Sequence, residues 1–101
     1  MTKRIKLQYY KKIPDGAVKV CRGTVFGNMF KVIRHGGKYT LEESLANYER
    51  VIDFILQEID PNFLDELKGF DLGCFCKLDQ KPIYKNYSCH ADILLQKLGE
   101  L

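Results

Sequence analysis

The stretch TLEESLANYERVIDFILQEID, residues 40–60, decides the framework of the fold. Thr40 and Glu43 form the capping-box pattern, in which the threonine hydroxyl accepts from the Glu43 N–H and the carboxylate accepts from the Thr40 N–H. The apolar residues that follow are three or four positions apart or adjacent: Leu41, Leu45, Tyr48, Ile52, Ile55, Leu56 and Ile59. This spacing predicts an amphipathic helix with one face packed against a core.

Three short β-like segments precede this helix. KRIKLQYY, residues 3–10, alternates apolar and polar side chains, as a strand with one buried face does. A turn at Asp15 and Gly16 separates it from a second strand, AVKVC, at 17–21. A third short strand is expected at 30–33, after a glycine-containing loop.

Two more helices and one more strand are expected after the long helix. NFLDELKG, residues 62–69, predicts a short helix, and FDLGCFC, residues 70–76, predicts a strand. Alternation along that strand places Cys74 and Cys76 on the same face. A last helix is expected after Ser88, which is a candidate N-cap.

The order strand, strand, strand, helix, helix, strand, helix predicts an α/β fold. We expect a small single-domain sandwich over residues 1–101, with a short mixed sheet covered by about three helices, because division would leave pieces too small for a core. In such folds ligands often bind where strand ends meet helix N-termini.

The composition is that of a folded protein rather than a disordered one, with 46% hydrophobic and 29% charged residues. No apolar run reaches the roughly 18 to 20 residues that a membrane span needs, and no signal-peptide core follows Met1. We therefore expect a cytoplasmic protein with reduced thiols and no membrane association. The sequence leaves the oligomeric state open.

The formal net charge is +3, and the basic residues are concentrated at the start of the chain. Five of them precede the first acidic residue, Asp15: Lys3, Arg4, Lys6, Lys11 and Lys12. Such a segment can contact nucleic acid, but lysines also protect an exposed edge strand. The edge-strand interpretation is favoured, with nucleic acid kept as an alternative partner.

Three motifs resemble a known family. They are RGTVFGNMF at 22–30, LGCFC at 72–76 and CHAD at 89–92. Together they resemble the phage and bacterial domain-of-unknown-function family 4326, over nearly all of 17–101. The resemblance implies no activity, but many such proteins look phage-borne, in genomes occupied with nucleotide metabolism or host defence.

The resemblance carries over residue by residue. The matching positions are Arg22, Gly27, Asn28, Phe30, Gly73, Cys74, Cys76, Cys89, His90 and Asp92. Three positions depart from the family pattern, because Phe26 replaces a tryptophan, Met29 a proline and Ala91 a glycine. An aromatic ring at residue 26 can still stack on a base, whereas a loop without the proline is less restrained.

A zinc site is one interpretation of the cysteine motifs. Cys74, Cys76, Cys89 and His90 supply the four sulfur and nitrogen ligands of a tetrahedral zinc. Ligands at strand positions i and i+2 and adjacent ligands in a helical turn make strained chelating pairs, however. We therefore expect no metal or other cofactor, with zinc at these four residues as the fallback.

Nucleophilic catalysis is a second interpretation, with Cys89 and His90 as the candidates. A thiolate at a helix N-terminus is favoured by the helix dipole. Neighbours in a helical turn diverge by about 100°, so we expect His90 to pair with Cys74 or Cys76 instead, with Asp92 orienting its ring.

A ligand-binding pocket is the third interpretation and the one the sequence favours. Its predicted residues come from the first loop and from the cysteine motifs: Arg22, Thr24, Phe26, Gly27, Asn28, Cys74, Cys76, His90 and Asp92. An arginine fork, glycine N–H groups and a helix N-terminus all suit an anion. We expect binding of a phosphorylated, nucleotide-like small molecule, to sequester or process a nucleotide signal. A Cys/His enzyme of nucleotide or base modification and a zinc-stabilised nucleic-acid adaptor are the alternatives.

Overall fold

A computed structural model describes residues 3–8, 12–21, 24–33, 36–75, 78 and 81–99. The strands and α-helices among these residues are β1 (Arg4–Lys6), β2 (Ala17–Lys19), α1 (Leu41–Phe54), β3 (Asp71–Cys74) and α2 (His90–Lys97). Within the described part of the chain, no helix has the length and apolar character to cross a membrane.

The three strands form one sheet in the order β1-β3-β2. Both pairings are parallel, with Ile5 opposite Gly73 and Val18 opposite Leu72. The predicted α/β class is confirmed, but the described pairings make a parallel sheet where a mixed one was expected. The reason is that the long crossover containing α1 returns the chain in the direction of β2. All three strands therefore end at the same edge of the sheet.

The long helix begins as predicted at the Thr40 capping box, with both hydrogen bonds present. Its buried face is narrower than the sequence pattern suggests, because the outer members of the stripe, Leu41 and Ile59, are 37% and 66% exposed. A π-helical turn at Ile55–Ile59 continues α1, and its wider spacing shifts the apolar residues out of register.

Replacing Thr40 by Ala is expected to lower the free energy of unfolding by about 1 kcal/mol, since the Glu43 N–H loses its partner. Thr40→Ser keeps the hydroxyl and is the matched control. Urea denaturation measures both variants. Equal stability of the alanine and serine variants would show that the cap does not stabilise α1.

The third predicted strand, at 30–33, is not formed as a strand, and a single β-bridge between Val32 and Tyr39 stands in its place. Side chains form hydrogen bonds with the N–H and the carbonyl of Phe30, two backbone groups that would otherwise pair with a neighbouring strand. The Phe30 N–H donates to the Asn28 side-chain oxygen (2.9 Å), and the Ser44 hydroxyl donates to the Phe30 carbonyl (2.5 Å).

Three further predicted boundaries move. The helix expected at 62–69 is a 3₁₀ turn, Asp65–Leu67, and the strand expected at 70–76 covers only Asp71–Cys74. Ser88 is not the N-cap of the last helix, because Cys89 holds that position.

The second helix is surrounded by the rest of the fold. Six consecutive residues from His90 to Leu95 are buried, and α2 contacts β1, β3 and α1. Gly73, at the centre of the sheet, is restricted by packing, since a Cβ there would lie 2.7 Å from Leu7 Cδ2. The first turn of α2 and the centre of the sheet therefore lie inside the core.

A buried carboxylate, Glu49, joins α1 to α2 and to the preceding loop. Its Oε1 accepts from Lys85 Nζ (2.9 Å) and the Tyr84 hydroxyl (3.2 Å). Its Oε2 lies 3.3 Å from Lys97 Nζ and accepts from the Tyr87 hydroxyl at 3.3 Å. Burial alone would raise the pKa of Glu49, but the Lys85 hydrogen bond and the Lys97 charge outweigh it and hold that pKa below its usual range.

The stability of the protein is therefore expected to fall in acid through Glu49. A carboxylate with a lowered folded-state pKa stabilises the fold above its unfolded value of about 4.3, and this contribution is lost as the pH falls through the folded value. Urea denaturation of wild type and Glu49→Gln between pH 7 and pH 3 checks this. The stability difference between them should shrink as the pH falls, and a constant difference would contradict the assignment.

Candidate functional site

Cysteine and histidine side chains meet where the sheet ends. Cys74 is the last residue of β3, and the chain leaves β2 through Val20 and Cys21. Cys89 caps the helix α2, whose first residue is His90. These side chains therefore lie at the carboxyl edge of the parallel sheet, beside a helix N-terminus, where α/β folds often bind ligands.

Two thiols are in contact at this edge. Cys74 Sγ lies 3.4 Å from Cys89 Sγ, and Cys89 Sγ lies 3.7 Å from His90 Nδ1. The two cysteines are 1% and 3% exposed, so both sulfurs lie inside the core.

The other nitrogen of the ring fixes the tautomer of His90. His90 Nε2 lies 2.5 Å from the Val20 carbonyl oxygen, which can only accept, so Nε2 carries the proton. In the neutral ring Nδ1 is then an acceptor, facing the Cys89 thiol. Tyr48 packs edge-on against the ring, with centroids 5.3 Å apart. The Cys89 thiol therefore faces a ring nitrogen of a histidine whose other nitrogen is hydrogen-bonded to a backbone carbonyl.

This pairing corrects the prediction that His90 is poorly placed for Cys89. The prediction treats both residues as helical, whereas Cys89 is extended, with φ −158° and ψ 155°. The 100° separation of helical neighbours does not apply to an N-cap residue. Its sulfur therefore lies beside the histidine ring.

Asp92 does not orient His90 through its described hydrogen bonds. Its Oδ2 accepts from the Ser88 N–H and the Ser88 hydroxyl, each at 2.9 Å. Its Oδ1 lies 3.1 Å from Arg4 Nε, in an ion pair whose side chains are only 8% and 13% exposed. Arg4 Nη2 also donates to the Ser88 hydroxyl at 3.2 Å. This cluster ties β1 to the start of α2.

Arg4 also places a positive charge beside both sulfurs. Burial would lower the pKa of Arg4, but the charges of Asp92 and Cys89, and then a hydrogen bond to Cys74, raise it. The guanidinium stays cationic, and a cation beside a sulfur favours the thiolate. Sequence reasoning assigned Arg4 to an exposed edge strand and so missed it as a site residue. Only the pairing of β1 with β3 reveals its position.

The described residues of the predicted binding loop mainly hold the loop itself. The Thr24 hydroxyl donates to the Cys21 carbonyl (2.7 Å), and the Asn28 amide donates to the Ser44 hydroxyl (2.8 Å). Phe26 is 5% exposed and its ring packs against Phe63, with centroids 5.2 Å apart. Gly27 is also buried.

Two predicted site residues, Arg22 and Cys76, lie outside the described residues. The structure therefore places three of the four fallback zinc ligands, Cys74, Cys89 and His90. Among the residues that are described, no group of three or more His, Cys, Asp or Glu side chains is arranged to hold a metal ion.

The family comparison covers nearly the whole chain. A model described as "Domain of unknown function (DUF4326)" matches residues 4–100. The chain belongs to the DUF4326 family. The resemblance seen in the motifs is thereby confirmed, and two of these DUF4326-like motifs, LGCFC and CHAD, supply Cys74, Cys89 and His90 to the site. No curated protein and no solved structure gives a significant match.

Proposed function

We propose that this protein is a thiol-dependent enzyme that acts on a phosphorylated, nucleotide-like small molecule, with Cys89 as nucleophile and His90 as base. The observation that carries the proposal is the 3.7 Å contact between Cys89 Sγ and His90 Nδ1. Because the Val20 carbonyl holds the proton on Nε2, the ring presents an acceptor to the thiol.

The reaction begins with transfer of the Cys89 proton to His90 Nδ1. The imidazolium keeps its hydrogen bond to Val20, and Arg4 stabilises the thiolate by its charge. The thiolate then attacks an electrophilic carbon of the substrate and forms a covalent intermediate. His90 returns the proton to the leaving group, so its role changes from base to acid.

Tyr48 is excluded as the proton donor by its surroundings. Burial, and next the charge of Cys89, raise the pKa of Tyr48, and its hydroxyl donates to the Phe26 carbonyl at 2.5 Å. The phenol is therefore held in its neutral, donating form, and its part is to pack against the His90 ring.

The nucleotide-like substrate class rests on the place of the site in the fold. A loop containing Thr24, Phe26 and Gly27 follows β2 at the carboxyl edge of the parallel sheet, where α/β folds bind phosphorylated ligands. The role proposed for Arg22 from the sequence is to bind the phosphate as a two-pronged donor. The phage and defence setting implied by the resemblance also favours a nucleotide.

Binding without turnover is the second candidate, and the burial of the sulfurs favours it. At 1% and 3% exposure, Cys74 and Cys89 suit the wall of a closed site that sequesters a nucleotide. The nucleic-acid adaptor has less support, because the Arg4 side chain is only 8% exposed and pairs with Asp92. Arg4 therefore does not contribute to a basic surface on the first strand that could contact nucleic acid.

A panel of nucleoside mono-, di- and triphosphates tests the proposal. At least one is expected to raise the melting temperature of wild type, Cys89→Ser and the control Cys21→Ser. Only wild type and Cys21→Ser should then convert it to a product seen by mass spectrometry. Binding without conversion in all three proteins would favour sequestration, and the absence of any thermal shift would contradict both candidates.

A further inference from the structure

We propose that Cys74 and Cys89 form a reversible disulfide when a peroxide reaches the site, so that they work as a dithiol–disulfide couple. The inference stands on the contact between the two sulfurs, which are 3.4 Å apart and both buried. The S–S bond of a disulfide is about 2.05 Å long, so the two sulfurs must approach each other by roughly 1.4 Å.

The two cysteines lie on elements that pack against each other. Cys74 ends β3 inside the sheet, and Cys89 is the N-cap residue of α2, which packs on that strand. The two elements are held together by packing independently of the sulfurs, as the buried residues Leu72 and Leu94 show. The two sulfurs are therefore held side by side in the reduced protein.

The surroundings of the sulfurs assign a different role to each thiol. The Arg4 charge acts on both sulfurs, but only Cys89 has a described contact with a proton acceptor, His90 Nδ1, at 3.7 Å. The histidine therefore makes Cys89 the thiol that is deprotonated and attacks first. Cys74, in contact with Cys89 Sγ, is placed to attack the oxidised sulfur and resolve it.

The chemistry balances with hydrogen peroxide as the oxidant. The Cys89 thiolate attacks one peroxide oxygen, the O–O bond breaks, and a sulfenic acid forms while the other oxygen leaves as water after taking a proton. Cys74 Sγ then attacks Cys89 Sγ, and the sulfenic oxygen leaves as a second water with the Cys74 proton. Two thiols and one peroxide give one disulfide and two waters, and an external dithiol returns the pair to the reduced state.

The low exposure of the pair restricts the oxidant to small molecules. Sulfurs that are 1% and 3% exposed are less accessible to a peptide-sized disulfide than to hydrogen peroxide. Oxidation also removes the nucleophile, so it switches off any reaction at Cys89. That last consequence rests on the proposed function, whereas the couple itself rests on the geometry.

The test is to treat the reduced, full-length protein with equimolar hydrogen peroxide, block the remaining thiols and map disulfides by mass spectrometry. Wild type and the controls Cys21→Ser and Cys76→Ser should give a Cys74–Cys89 disulfide that dithiothreitol reverses. Cys74→Ser should instead accumulate sulfenic acid at Cys89, trapped by dimedone, and then sulfinic acid.

Two results would overturn the inference. One is a disulfide between a different pair of cysteines in wild type, and the other is stable Cys89 sulfenic acid in wild type to the same extent as in Cys74→Ser. Failure of the proposed function is distinguishable, because it leaves the Cys74–Cys89 disulfide intact while no nucleotide is converted. Failure of the couple leaves nucleotide conversion intact.

Discussion

Replacing Arg4 by Met lowers the free energy of unfolding by about 3 to 5 kcal/mol, the usual cost of leaving one partner of a buried ion pair alone. The two side chains are 8% and 13% exposed, with Arg4 Nε 3.1 Å from Asp92 Oδ1. Without the guanidinium, the hydrogen bonds from Ser88 are the remaining contacts of the Asp92 carboxylate among the described residues. Urea denaturation at neutral pH measures the loss.

A double-mutant cycle separates this ion pair from simple packing. Arg4→Met combined with Asp92→Asn removes both charges, and we expect the double variant to be more stable than additivity predicts by about 1 to 3 kcal/mol. Lys68→Met is the matched control, since it breaks an exposed pair with Asp65 that is worth less than about 1 kcal/mol. Additive effects of the two charge removals would show that the pair does not hold β1 to α2.

The second large effect concerns His90, whose two nitrogens have separate partners. Glutamine at this position keeps a donor near the place of Nε2, for the Val20 carbonyl, but has no acceptor at the place of Nδ1. We therefore expect His90→Gln to slow the alkylation of Cys89 by iodoacetamide by about 100-fold, the lower range for loss of a general base. Its melting temperature should stay close to that of wild type.

Asparagine is the complementary variant, because its side-chain amide lies near the place of Nδ1 and cannot reach Val20. His90→Asn leaves a buried carbonyl without this hydrogen bond, at a cost of about 1 to 3 kcal/mol in the free energy of unfolding. For both variants, the rate of Cys89 alkylation is measured by mass spectrometry of samples quenched at timed intervals, and the stability is measured by thermal denaturation. If glutamine and asparagine change the two quantities alike, the two nitrogens do not have separate roles.

Local patterns allowed the framework of the fold to be predicted. The Thr40 capping box and the apolar spacing of α1 involve residues within one or two turns, so the sequence shows them directly. The strand containing Cys74 and the last helix were predicted for the same reason. The N-cap of that helix was predicted one position too early, at Ser88 instead of Cys89, and Ser88 bonds with Asp92.

The chemistry of the site depends on contacts that no local pattern shows. Arg4 reaches Asp92 only because β1 pairs with β3, and Arg4 and the Ser88 that it also contacts are 84 positions apart in the chain. The Val20 carbonyl, which sets the tautomer of His90, belongs to the backbone and has no sequence signature. The extended conformation of Cys89, which brings its sulfur to His90, follows from its place before α2.

The central claim, that His90 and Arg4 make Cys89 a nucleophile, is tested most directly by alkylation of the intact protein with iodoacetamide at pH 7. Cys21 is an internal control, since it is 7% exposed and Cys89 is 3% exposed. We expect Cys89 to react at least about 10-fold faster than Cys21, in spite of its lower exposure, and His90→Gln to remove this excess. Cys89 reacting no faster than Cys21, with a ratio unchanged by His90→Gln, would contradict it.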